Sequence, residues 1–157
     1  MAPILYNKGN AAPQVVDLFS RTVRSLVIEI TIVTGTTQYY LGNIRRLQDT
    51  LLQQITFPYN ANLTVTAGNV ALVSQACIQG AYIKLLDKKG DAIIDTEPVI
   101  LWYMDTTISS TIKKGFANLD VDWEKSYIQF PSNTLPAAND GKKMQIVVDY
   151  CCQTDAQ

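Results

Sequence analysis

At 157 residues the chain suits a single domain, long enough to bury a core without disulfide or metal staples. Hydrophobic residues make up 47% of it and charged residues only 17%, against about a quarter in an ordinary soluble domain, which excludes intrinsic disorder and leaves uncharged surface for partner chains to cover. The formal net charge is -1 and the basic residues fall as separated doublets, Arg45-Arg46, Lys88-Lys89, Lys113-Lys114 and Lys142-Lys143, so no nucleic acid is expected as a partner.

The chain opens on Met-Ala-Pro-Ile-Leu-Tyr-Asn-Lys, which lacks the charged region and apolar block of a secretory signal. No apolar run reaches the ~18 residues that cross a bilayer. The expectation is a soluble product of a reducing cytosol, with no membrane partner. Ala2 to Asp17 neither repeats like a regular element nor reads as a polar tail. Within it Pro3, Ile4, Leu5, Tyr6, Val15 and Val16 are read as an assembly arm lying across a neighbouring subunit; the plainer alternative is a frayed terminus with incidental apolar residues. Val15 to Arg24 is the one stretch that admits a helix. Residues 1–24 are therefore taken as an N-terminal arm with a short helix, 25–152 as a β-sandwich domain and 153–157 as a flexible tail.

Ser25 to Thr34 is the clearest strand, with Leu26, Ile28, Ile30 and Ile32 alternating against Val27, Glu29, Thr31 and Val33. Gly35-Thr36-Thr37 breaks it, and Gln38 to Leu41 reads as a short return. Ile44 to Phe57 stays open: Ile44, Leu47, Leu51 and Ile55 fit a helical stripe, whereas Leu51, Ile55 and Phe57 share one strand face. Pro58 stops either reading. Leu63 to Val73 alternates weakly about Gly68-Asn69, as two short strands or one interrupted strand.

Ala81 to Leu86, the turn Asp87-Lys88-Lys89-Gly90-Asp91 and Ala92 to Asp95 form the plainest hairpin, with a glycine available for positive φ. Pro98 separates it from the apolar run Val99 to Met104, and Thr106 to Thr111 is a polar loop. Leu119, Val121 and Trp123 alternate with Asp120, Asp122 and Glu124, and Tyr127 to Phe130 resumes a strand before an irregular connection from Pro131 to Gly141. Met144, Ile146, Val148 and Tyr150 share a face of the closing strand. About eight strands with turn signals between them predict an all-β fold, an antiparallel, jelly-roll-like β-sandwich.

Chemistry-bearing residues are few. The chain has no histidine, so no Ser-His or Cys-His nucleophile pair and no ordinary zinc set can be assembled, and no catalytic residue or cofactor is expected. Adjacent Cys151 and Cys152 point to opposite strand faces, and with Cys77 they are read as free thiols. Asp120, Asp122 and Glu124 would line a sheet face, either solvated or holding calcium. Trp102, Tyr103, Trp123, Tyr127 and Phe130 serve either as core or as a platform for sugars.

Leu47 to Ile55, Ala81 to Ile94, Glu97-Pro98-Val99, Leu119 to Ile128 and the closing strand ending Asp149-Tyr150 resemble, as a succession of strand and turn signals, small virion proteins of tailed bacteriophages. They are most similar to the auxiliary capsid proteins of crAss-like phages. The resemblance spans roughly residues 44 to 152 and leaves the first third aside. It implies a β-sandwich, strand rather than helix at Thr50 to Phe57, and a non-enzymatic subunit present in many copies. The expected partners are other virion proteins, major capsid or connector, and copies of itself, in a virion assembled in the host cytoplasm. A carbohydrate- or receptor-binding β-sandwich of a head fibre or spike, with Trp102 or Trp123 as the stacking residue, is the alternative.

Overall fold

The computed structural model describes residues 23–59, 71–105 and 114–152, with side chains placed for all but 103–105 and 114–118. The arm residues Pro3, Ile4, Leu5, Tyr6, Val15 and Val16, the Thr106 to Thr111 loop, most of Leu63 to Val73 and the Gln153 to Gln157 tail lie outside the described residues. Arg24 opens a strand, so the helical reading of Val15 to Arg24 does not hold at its last residue.

Nine strands alternate through the described chain: β1 (Arg24–Thr31), β2 (Gln38–Tyr40), β3 (Thr50–Tyr59), β4 (Tyr82–Leu86), β5 (Ala92–Pro98), β6 (Tyr103–Asp105), β7 (Lys114–Leu119), β8 (Tyr127–Gln129) and β9 (Lys143–Cys152). One sheet runs β1-β9-β3, with β6 and β7 both beside β3, and the other runs β2-β8-β4-β5. Every pairing is antiparallel except β3 with β6. Residues of both sheets enter one hydrophobic core, as in a β-sandwich.

Alternation builds that core. Ile28 and Ile30 of β1 stand opposite Ile146 and Met144 of β9, all four buried, while Val27 and Thr31 face out. In the second sheet Ile83 of β4 pairs with Ile128 of β8, and Leu85 and Ile94 complete the buried face. Tyr39 binds the layers at the first crossover. Its phenolic oxygen accepts from the Val33 amide at 3.0 Å and lies 2.8 Å from the Thr36 carbonyl, and its ring meets Phe130 edge on at 6.0 Å. Burial raises its pKa.

Thr50 to Tyr59 is strand, not helix, but its inward residues are Leu52, Ile55 and Phe57, with Leu51 only half-buried. The register against β9 shifts between Leu52 and Gln54, and this bulge inserts one residue and turns Ile55 inward where strict alternation would turn Gln54. The slip of phase also explains why a helical stripe fitted as well. Pro58 does not stop the strand, which runs on to Tyr59 against β6; among the described residues pairing with β9 ends at Thr56, so the proline sits where β3 has become one-sided, as prolines in sheets do.

The hairpin turn forms as expected: Gly90 has φ 94, and Asp87 Oδ1 accepts from the amides of Lys89 and Asp91, each at 2.9 Å. Leu119 to Glu124 is not one continuous strand. β7 ends at Leu119, Val121 makes a single bridge to Asp87, and Trp123 sits in the following turn, although Val121 and Trp123 are buried and Glu124 is exposed. Two short helices form, one in a stretch the sequence leaves unassigned and one in the connection read as irregular. α1 (Gln75–Gln79) starts where Ser74 Oγ accepts from the Cys77 amide, and α2 (Thr134–Ala138) occupies the middle of the Pro131 to Gly141 connection. Buried Asn139 joins them, accepting from the Ser74 amide and donating to the Leu135 carbonyl, each at 2.9 Å.

Candidate assembly surface and a separate cleft

The sheet margins are unequal. β5 carries Asp95, Glu97 and Pro98, a positive φ of 53° at Thr96, and register shifts against β4, all devices that blunt an edge. β2 and β6 offer three residues each, and β7 begins with Lys114-Gly115. β1 differs from all of them: it has eight residues, no proline or glycine, and an unbroken register with β9 from Arg24 to Thr31.

The direction of its free groups follows from the ladder. Ile32 donates its amide to the Lys142 carbonyl and accepts at its own carbonyl from Gly141, so it faces the β9 side. Backbone groups alternate along a strand, so Ser25, Val27, Glu29 and Thr31 aim their amides and carbonyls at the opposite margin. Among the described residues no strand lies there. The same margin exposes apolar side chains, Val23 at 57%, Val27 at 49% and Val33 at 49%. Among the described residues one ion pair relieves it, Glu29 with Lys143 at 2.8 Å.

Across the molecule a cleft of about 280 Å³ opens between the turn before β3, which contributes Ile44, Leu47 and Asp49, and the turn after β7, which contributes Val121, Asp122 and Trp123. Lys88 of the hairpin turn reaches over it, 3.2 Å from Asp120 and 3.6 Å from Asp49. The hydrogen bond that Lys88 donates to the Asp120 carboxylate raises the Lys88 pKa. Asp49 holds a left-handed φ of 54°. For Asp122, burial pushes the pKa up, but the hydrogen bond and charge of Lys125 outweigh it and leave the carboxyl below its ordinary value. A carboxyl held ionised is the opposite of what a general acid requires.

The three acids read as a strand ladder are therefore divided. Asp120 is tied to Lys88, Asp122 closes its own turn onto the Lys125 amide, and Glu124 is exposed. Among the described residues no three potential metal ligands gather. Both indoles are buried, Trp102 at 0% and Trp123 at 6% exposure, so neither offers a face on which a sugar could stack. Ser126, also fully buried, fastens the cleft turn to the sheet: its hydroxyl donates to the Asp122 carbonyl at 2.7 Å and accepts from the Leu86 amide at 3.1 Å. Cys77, Cys151 and Cys152 are free thiols; burial raises Cys77 to about 11.

The β1 margin could have been found from the sequence, since Val27 and Val33 stand on the face of the strand opposite the isoleucines. The cleft could not, because its walls are about 70 residues apart and no motif marks them. Among the described residues no helix is long and apolar enough to cross a membrane. No protein-family model, curated protein or solved structure matches this chain.

Proposed function

We propose that the chain is a structural virion protein, an auxiliary or decoration subunit of a bacteriophage capsid that acts by packing in many copies against its own kind and a major capsid or connector protein. The observation that carries this reading is the nesting of the strands. With β6 set aside, eight strands pair first with last, β1 with β9, then β2 with β8, β3 with β7 and β4 with β5. Such nesting, with consecutive strands β1 and β2, β3 and β4, and β8 and β9 in opposite sheets, supports reading the sandwich as a jelly roll. The step from that architecture to a shell subunit is an analogy at the level of the fold.

Jelly rolls serve capsids, lectins and metal-binding cupins. A histidine-free sequence suits the cupins poorly, and two buried tryptophans suit a lectin poorly. Low charge and the unblunted β1 margin favour a shell subunit, and the succession of signals from Leu47 to Tyr150 points the same way. The test is fractionation of producing cells into particle-bound and free protein. The full chain is expected in the particle fraction, and a variant lacking Met1 to Val16 is expected to fold and remain free. Recovery of the full chain wholly as free monomer refutes the proposal.

A further inference from the structure

We infer that the β1 margin is occupied by β1 of a second copy, running antiparallel across a two-fold axis with Val27 opposite its own counterpart, so that two core sheets become one. The inference rests on the reading of this chain as an assembly subunit and names the partner of that surface.

Three observations select the pairing. Self-pairing that keeps both apolar faces on one side requires the numbers of opposed residues to sum to an even value, because from Ser25 to Ile32 the odd-numbered residues face out and Leu26, Ile28, Ile30 and Ile32 face the core. The free amides and carbonyls also belong to the odd positions, as the Ile32 bonds to Lys142 and Gly141 set them. Side-chain and backbone requirements therefore coincide. With Val27 at the axis, Ser25 opposes Glu29 and Val23 opposes Thr31, and every outward group from Val23 to Thr31 is engaged, about ten backbone hydrogen bonds in all. Shifting one step toward the carboxyl end needs Val33, whose amide and carbonyl are already bonded to Tyr39 and Thr36.

Charge agrees with the same register. The two Glu29 carboxylates lie four strand positions apart, ~14 Å, beyond the Debye length of about 10 Å at ordinary ionic strength. The next register would bring them to ~7 Å, where they repel. The arm is a poorer occupant: Ile4 to Lys8 is a short run between Pro3, which has no amide hydrogen, and Gly9, while Gln14 to Thr22 leads straight into β1 with no glycine or proline to turn it back alongside, against eight residues of a second β1. Strand pairing alone covers less than the ~800 Å² per partner of a standard interface, so the dimer is concentration-dependent in solution and stable within a particle.

Disulfide trapping in the full chain, with Cys152→Ser to remove the one accessible native thiol, tests the register. Opposed residues of a hydrogen-bonded pair have Cα atoms ~5.5 Å apart, within disulfide reach. Val27→Cys is expected to form a covalent dimer on mild oxidation, and Ser25→Cys, ~14 Å from its own counterpart, to form at least about tenfold less. Equal trapping at both positions, no trapping at Val27→Cys, or trapping only with an Ile4→Cys chain overturns the inference. A Val27→Lys variant separates the two levels. If trapping fails but Val27→Lys still abolishes particle incorporation, the partner is wrong and the assembly reading stands; if Val27→Lys incorporates normally, the margin has no part in assembly.

Discussion

Replacing Ser126 by alanine probes the junction on which the second sheet and the cleft both depend. The hydroxyl is fully buried and serves two segments, giving its hydrogen to the Asp122 carbonyl and taking one from the Leu86 amide at the end of β4. In the variant the Asp122 carbonyl keeps the Ser126 amide as a donor at 3.0 Å, so it is not orphaned. The Leu86 amide is left without its acceptor inside the protein, which costs about 1–3 kcal/mol, and the volume lost is a single oxygen. We expect a loss of about 2 kcal/mol, read in urea unfolding as a midpoint lower by about 1 M at an unchanged slope of about 2 kcal/mol/M. Ser132→Ala, which removes an exposed hydroxyl, is the control and should change stability by less than about 0.5 kcal/mol. A Ser126→Ala midpoint equal to the control would refute the view that this hydroxyl holds the turn to β4.

Asn139→Ala removes a buried amide that accepts from Ser74 and donates to Leu135, and should cost about 2–3 kcal/mol by the same unfolding measurement. Asp49→Gly relieves a left-handed backbone and gives up only an exposed ion pair with Lys88, so it should be neutral or stabilising by up to about 1 kcal/mol; a loss above that would give the Asp49 carboxylate a structural duty. With native protein a thiol reagent should titrate Cys152 fast and Cys77 and Cys151 only on unfolding. Cys77 ionises near the ordinary thiol value of 9.0 when unfolded and at about 11 when folded, because burial disfavours the thiolate. Below pH 9 the thiol is protonated in both states; between 9 and 11 only the unfolded chain loses its proton, so the contribution of Cys77 is lost as pH rises through that window. The stability difference between wild type and Cys77→Ala should therefore narrow by about 2 kcal/mol from about pH 8.5 to about pH 10.5, and a constant difference would contradict the burial.

Local alternation was enough to place β1, the β4 and β5 hairpin and β9, because their inward residues, Ile28 and Ile30, Ile83 and Leu85, Met144 to Tyr150, keep strict two-residue spacing and Gly90 marks the turn. The absence of histidine and the shortage of charge were likewise properties of the sequence alone. What depended on the third dimension was phase and partnership. The bulge at Gln53 changes which residues of β3 face inward, Trp123 is buried from a turn rather than a strand, and Asp120, Asp122 and Glu124 are parted by that same turn. Strand periodicity reports only that one face is dry, and cannot say which strand lies alongside or which edge is left bare. Those depend on long-range pairings such as β1 with β9, about 120 residues apart, whose free energy is shared among many weak contacts and written in no single motif.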